Sequence, residues 1–114
     1  MGIDIYLTDH KCNHDSDNDN AFVNQRAYIR ESYHGYIYPS ETFLPESFKE
    51  YDSIITYEIL LGRIGETLKL AIKRSVLTYG DTDIRGAVEP YINFIDIVWQ
   101  IEQEGKQAWV TNSH

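Results

Sequence analysis

The chain has 114 residues, 42% hydrophobic and 25% charged, with 18 acidic against 10 basic side chains and a formal net charge of −8. That length suits one domain spanning residues 1–114, and the composition is that of a folded globular chain rather than a disordered one. The acidic balance excludes indiscriminate binding to nucleic acid or to anionic lipid, which needs clustered Lys and Arg, but leaves room for local capture of an anion or for competition with nucleic acid for a basic partner.

In chain order, Ile3, Ile5 and Leu7 alternate with Asp4, Tyr6 and Thr8, the period-two pattern of a strand buried on one face. Asp4 interrupts this first apolar run and no basic segment leads into a longer one, so no signal peptide is expected. Tyr6 stands where a myristoylation motif wants Ser or Thr. Apolar runs fall far short of the roughly 20 residues of a membrane helix, and Cys12, as the single cysteine, cannot form an internal disulfide. The expectation is a soluble cytoplasmic protein that engages no membrane.

Residues 9–20, DHKCNHDSDNDN, carry the turn-forming Asp and Asn and read as an acidic mobile loop. His10, Cys12 and His14 alternate, and Asp15, Asp17 and Asp19 continue the alternation, so metal-ligand types are present. No CxxC or HxxxH pair accompanies them. DSDND also resembles the opening of a calcium loop, yet its sixth position is Asn20 rather than Gly and its twelfth is Arg26 rather than Glu. A solvated polar loop is the favoured reading, with no metal and no cofactor.

Between residues 21 and 44, Phe22, Arg26, Ile29 and Tyr33 approximate a helical stripe, but tyrosine density and a turn at Gly35 favour strands over Ala27 to Tyr33 and Tyr36 to Tyr38. Pro39 and Pro45 then make SETFLPESF an irregular connection with local capping. From Ser53 the pattern turns helical. Ile64, Leu68, Ala71, Ile72, Ser75, Val76 and Tyr79 fall at three- and four-residue steps with Gly80 as the stop, and Gly62 and Gly65 should split off a short turn from a longer helix over Gly65 to Tyr79. After GDTD a second helix has Pro90 in its first turn and Tyr91, Ile92, Ile95, Val98, Trp99 and Glu102 on one side, ending at Gly105. QAWVTNS adds a last strand, Trp109 and Thr111 on one face, Ala108 and Val110 on the other. The sum is an α+β fold: a small β-sheet including both chain ends, covered on one face by two main helices.

The segment with most chemistry is RESYHGYIY, Arg30 to Tyr38. If it is extended, Tyr28, Arg30, Ser32 and His34 share one face, and Ile29, Glu31 and Tyr33 the other. Arg holds phosphate or carboxylate bidentately, tyrosine rings stack on bases, and His34 could serve as a hydrogen-bonding or acid–base group. The candidate ligand-binding set is Arg30, His34, Tyr28, Tyr33, Tyr36, Arg26, Ser32 and Tyr6. The blander reading makes the tyrosines cover for a sheet edge, with Arg30 paired to a nearby carboxylate. Nucleophilic catalysis has little support, since neighbouring Asp residues would raise the Cys12 thiol pKa and no nucleophile elbow, Walker loop or dinucleotide-binding glycine motif occurs. Asp4, Glu31 and Glu41 are the available carboxylates, without a spacing that pairs them. Tyr91 and Trp99 read as core, and Trp109 as packed on the helices.

MGIDIY at Met1 to Tyr6, RESYHG at Arg30 to Gly35, PESF at Pro45 to Phe48 and ETLKLA at Glu66 to Ala71 together resemble a group of small bacterial and phage proteins with no established activity. The resemblance extends over most of the chain and implies compartment and fold more than chemistry. Three functions compete. The first is a non-enzymatic binding protein for a small anionic or nucleotide-like ligand, with a subunit interface of a homo-oligomer as one location for it. The second is an acidic interaction protein that occupies a basic or nucleic-acid-binding protein partner. The third is a hydrolase or nuclease using His34 with Asp4 or Glu31.

Overall fold

The computed structural model describes residues 2–12, 21–32, 37–43, 52–80 and 84–113. Its elements are β1 (Gly2–Thr8), β2 (Ala27–Ser32), α1 (Ser40–Phe43), β3 (Asp52–Ile55), α2 (Tyr57–Tyr79), α3 (Ile84–Gln103) and β4 (Ala108–Ser113). The strands form one antiparallel sheet in the order β2-β1-β4-β3. The fold is α+β, and the strands nearest the two termini lie side by side at its centre.

Alternation sets the layers. Ile5 pairs with Ile29, Leu7 with Ala27 on one side and Val110 on the other, and Ile55 with Ala108. These inward side chains form the core with Phe43, Leu60, Ala71, Tyr91, Phe94, Ile95, Val98 and Ile101. Burying a Leu, Ile or Phe side chain is worth about 1.5–3 kcal/mol, so this one-sided layer holds the fold together. Asp4, Tyr6, Tyr28 and Arg30 take the alternate positions and face away from the helices.

Several expectations change. β3 occupies Asp52–Ile55, where helix was expected from Ser53; only Ser53 and Ile55 turn inward, so the short edge strand carries too little apolar pattern to announce itself. α2 begins only at Tyr57. There Thr56, in extended conformation, accepts a 3.3 Å bond from the Ile59 N–H and caps the helix. α2 then runs unbroken through Gly62 and Gly65 to Gly80, whose φ of 62° and N–H donated to the Val76 carbonyl form a left-handed C-cap. The core contacts of its buried face outweigh two glycine penalties of about 1 kcal/mol each.

α1 replaces part of the irregular connection expected at SETF, while Ile37 and Tyr38 lie outside any strand. α3 begins at Ile84, which puts Pro90 inside the helix rather than in its first turn; proline has no N–H to offer the Gly86 carbonyl. Its core face is Tyr91, Phe94, Ile95, Val98 and Ile101, and Trp99, expected in the core, is 48% exposed. Val76 of α2 is exposed as well. Trp109 sits on the sheet face away from the helices, opposite Ile54 and Thr8, with the Lys11 ammonium 5.8 Å from its ring centroid. No helix among the described residues is long and apolar enough to cross a membrane.

Candidate functional site

β1 and β2 assemble a polar and aromatic surface because their register sets Asp4 beside Arg30 and Tyr6 beside Tyr28. All four are outward members of the alternation. The Arg30 Nη1 donates to Asp4 Oδ1 at 2.6 Å, and the Tyr28 hydroxyl donates to the same oxygen. Burial pushes the Asp4 carboxyl up, but the bonds from Tyr28 and Arg30 and the Arg30 charge outweigh it and hold the group below its usual value. The bond to Asp4, followed by burial, raises the Tyr28 phenol, and the same carboxylate keeps Arg30 protonated more firmly.

The rings continue the surface. Tyr6 and Tyr28 lie 5.3 Å apart between centroids, tilted by 33°, and Phe22 meets Tyr6 edge-on at 6.4 Å. Phe22 is 68% and Tyr28 44% exposed, and the Arg30 side chain is about half exposed. The helices gather on the opposite face of the sheet. An arginine beside two neighbouring rings is suited to a flat ligand bearing negative charge: the rings take its face, and a fork of five donors is not exhausted by one carboxylate oxygen.

A cleft of about 490 Å³ lies between β2 and the two long helices, lined by Tyr28, Ile29 and Arg30, by Ala71, Arg74 and Ser75 of α2, and by Gly86, Ala87, Pro90 and Tyr91 of α3. Arg74 and Tyr91 were not among the sequence candidates. Arg74 did leave a signal, since it follows Ala71 by three residues and Thr67 by seven, placing a charge on the buried stripe of α2. Tyr91 donates to Glu31, which is fully buried and also accepts the Ser40 N–H at 3.0 Å and the Ser40 hydroxyl at 2.5 Å. Burial, and then the Glu31 carboxylate, push the Tyr91 phenol well up, while Arg74 draws it down.

Other sequence candidates fall elsewhere. Arg26 stands before β2 and grips Glu104 bidentately at 2.8 and 2.5 Å and Asp9 at 3.2 Å, joining the β1–β2 and α3–β4 connections rather than the ring surface. Ser32 ends β2, where its backbone pairs with Gly2. His34, Tyr33 and Tyr36 lie outside the described residues, as do positions 13–20 of the acidic loop. Cys12 does not sit on an open loop: it is buried, its thiol 3.9 Å from the Thr8 hydroxyl. Asp4 and Glu31 lie on opposite faces of the sheet, so they cannot act as a carboxylate pair. No group of three or more metal-ligating side chains occurs among the described residues. No protein-family model, curated protein or solved structure matches the chain.

Proposed function

We propose that the chain is a small cytoplasmic binding protein, of the bacterial and phage kind that MGIDIY and RESYHG suggest, which captures an anionic ligand carrying a flat ring, as a nucleotide does. The observation that carries the reading is the adjacency of Tyr6, Tyr28 and Arg30 on the sheet face opposite the helices. The ring lies over Tyr6 and Tyr28, with Phe22 at its margin, and the charged group meets Arg30. A second copy laid over the same face encloses the ring from its other side. Ring stacking is worth roughly 1–3 kcal/mol per base, and a charge-assisted bond from Arg adds orientation.

The test is a thermal-shift series with linear and cyclic nucleotides, run beside inorganic phosphate and uncharged nucleosides. Binding to the folded state alone raises its apparent stability, so nucleotides are expected to lift Tm by several degrees and each half-ligand by less. Tyr28→Ala and Arg30→Ala, both at exposed positions, are expected to erase the shift while leaving the unliganded Tm within a few degrees of the parent. Equal Tm values with and without every nucleotide would sink the proposal.

A further inference from the structure

The ring surface of β1 and β2 continues onto β4. Tyr6 stands opposite Thr111, and Trp109 lies two residues along the same strand, so Trp109 projects from the face that carries Tyr6. Residues in that relation are diagonal neighbours about 7–8 Å apart, within reach of aromatic side chains. Ile54, opposite Trp109 on β3 and 43% exposed, extends the apolar border beyond it. Two ring platforms therefore adjoin on one sheet face: Tyr6 with Tyr28, 5.3 Å apart, and Trp109. Positions 4, 6 and 8 of β1 set their order, since Asp4 pairs with Arg30, Tyr6 with Tyr28 and Thr8 with Trp109.

The second platform has its own cation. Lys11 is exposed, its ammonium lies 5.8 Å from the centroid of the half-buried Trp109 ring, and among the described residues it makes no ion pair. Asp9, two residues earlier, is already engaged by His10, Arg26 and Lys106. Arg30 differs in being held by Asp4. A ring face holds an exposed ammonium only weakly, so a base laid on Trp109 can displace Lys11 toward the phosphate beside that base.

We infer that this face takes a dinucleotide unit, two bases joined through one phosphodiester. The first base lies on Tyr6 and Tyr28, the second on Trp109, and the linking phosphate meets Lys11. The inference rests on the ring-binding reading above and names the ligand of that site. Sheets that carry rings on their open face stack two or three splayed bases at once, and stacking accepts any base because each has a π-face. The platforms stand further apart than the roughly 3.4 Å rise per nucleotide of a stacked strand, so the two bases separate from each other when both are bound. A net charge of −8 repels each further phosphate, which favours a short unit over a long strand.

The test uses the full chain with Trp99→Phe, which removes the exposed tryptophan of α3 and leaves Trp109 as the fluorescent one. Titrations compare 5′-mononucleotides, 5′-phosphorylated dinucleotides, the same dinucleotides with an uncharged methylphosphonate link, and longer single strands. The dinucleotide is expected to bind about tenfold or more tightly than either mononucleotide and to quench Trp109. A mononucleotide, at a concentration that raises Tm, is expected to leave Trp109 emission unchanged. Lys11→Ala, at an exposed position, is expected to bring the charged dinucleotide down to the affinity of its methylphosphonate counterpart without altering mononucleotide binding. Longer strands distinguish the source of the unit: weaker binding than the dinucleotide assigns it to a free dinucleotide, tighter binding to a segment of single strand, and the paired platforms hold in both. A dinucleotide that binds no tighter than a mononucleotide, that leaves Trp109 unquenched, or that is indifferent to Lys11→Ala would overturn the inference. Should mononucleotides still raise Tm, the ring-binding proposal stands without it; should no nucleotide do so, both fall.

Discussion

Glu31 ties three elements with one side chain: it belongs to β2, accepts from Ser40 at the start of α1, and accepts from Tyr91 in α3. Because the carboxyl is fully buried, a lost donor cannot be replaced by bulk water. Tyr91→Phe is therefore expected to cost about 1–3 kcal/mol in urea unfolding at neutral pH. Asp9 acts at the surface. Its hydrogen bond with His10, opposed by burial and helped by Arg26 and Lys106, lowers its carboxyl from 3.8 to about 2. A folded-state pKa below the unfolded one means stability that is present above about pH 4 and is lost as pH falls toward 2. Asp4 is shifted in the same direction. Unfolding midpoints are expected to fall through that acid range, and Asp9→Asn is expected to flatten the fall; an unchanged pH profile would contradict the assignment.

Among elements, α2 separates two uses of glycine. A Cβ at Gly62 or Gly65 would meet nothing within 4 Å, and both lie in the helix interior. Gly62→Ala and Gly65→Ala are expected to stabilise by about 0.5–1 kcal/mol each, whereas Gly80→Ala is expected to destabilise by about 1 kcal/mol, since its φ is 62°. Chemical denaturation of the three variants reads both signs. The same helix shows what sequence pattern conveys. β1 was legible because three apolar residues alternate without interruption, and β2 because the density of tyrosines around it favours strand over helix. β3 was hidden because its pairing with β4, not its own composition, makes Asp52–Ile55 a strand. Gly62 and Gly65 misled because propensity is local and the burial of Leu60, Thr67 and Ala71 is tertiary. The Tyr6–Tyr28 contact depends on strand register, and the Arg74 cleft on the meeting of three elements, neither of which periodicity specifies.

Across the whole molecule, the helices lie on one sheet face and leave the other to rings and polar groups, which is the division an antiparallel sheet permits. Asp9, Arg26, Glu104 and Lys106 link two distant connections at its surface. Solvent screens such exposed pairs, so they link those connections while the core supplies most of the stability. β1 and β4 meet along Asp4↔Ser113 to Thr8↔Trp109, pairing residues nearly the full chain apart in sequence. Folding must close that long excursion before the central strands can pair, and its cost is entropic.

The antiparallel pairing has one more consequence. The first residues of β1 and the last of β4 lie at the same end of the sheet, on neighbouring strands. Any polypeptide continuing from either side therefore departs from nearly one spot, as from the base of a loop. The fold could be set within a host chain as an insert without separating the host's two cut ends. A circular permutant that fuses those ends through a short glycine-rich joint and opens the chain after Gly80 is expected to retain the parent circular-dichroism spectrum and a cooperative melt. Loss of cooperative unfolding in that permutant would contradict it.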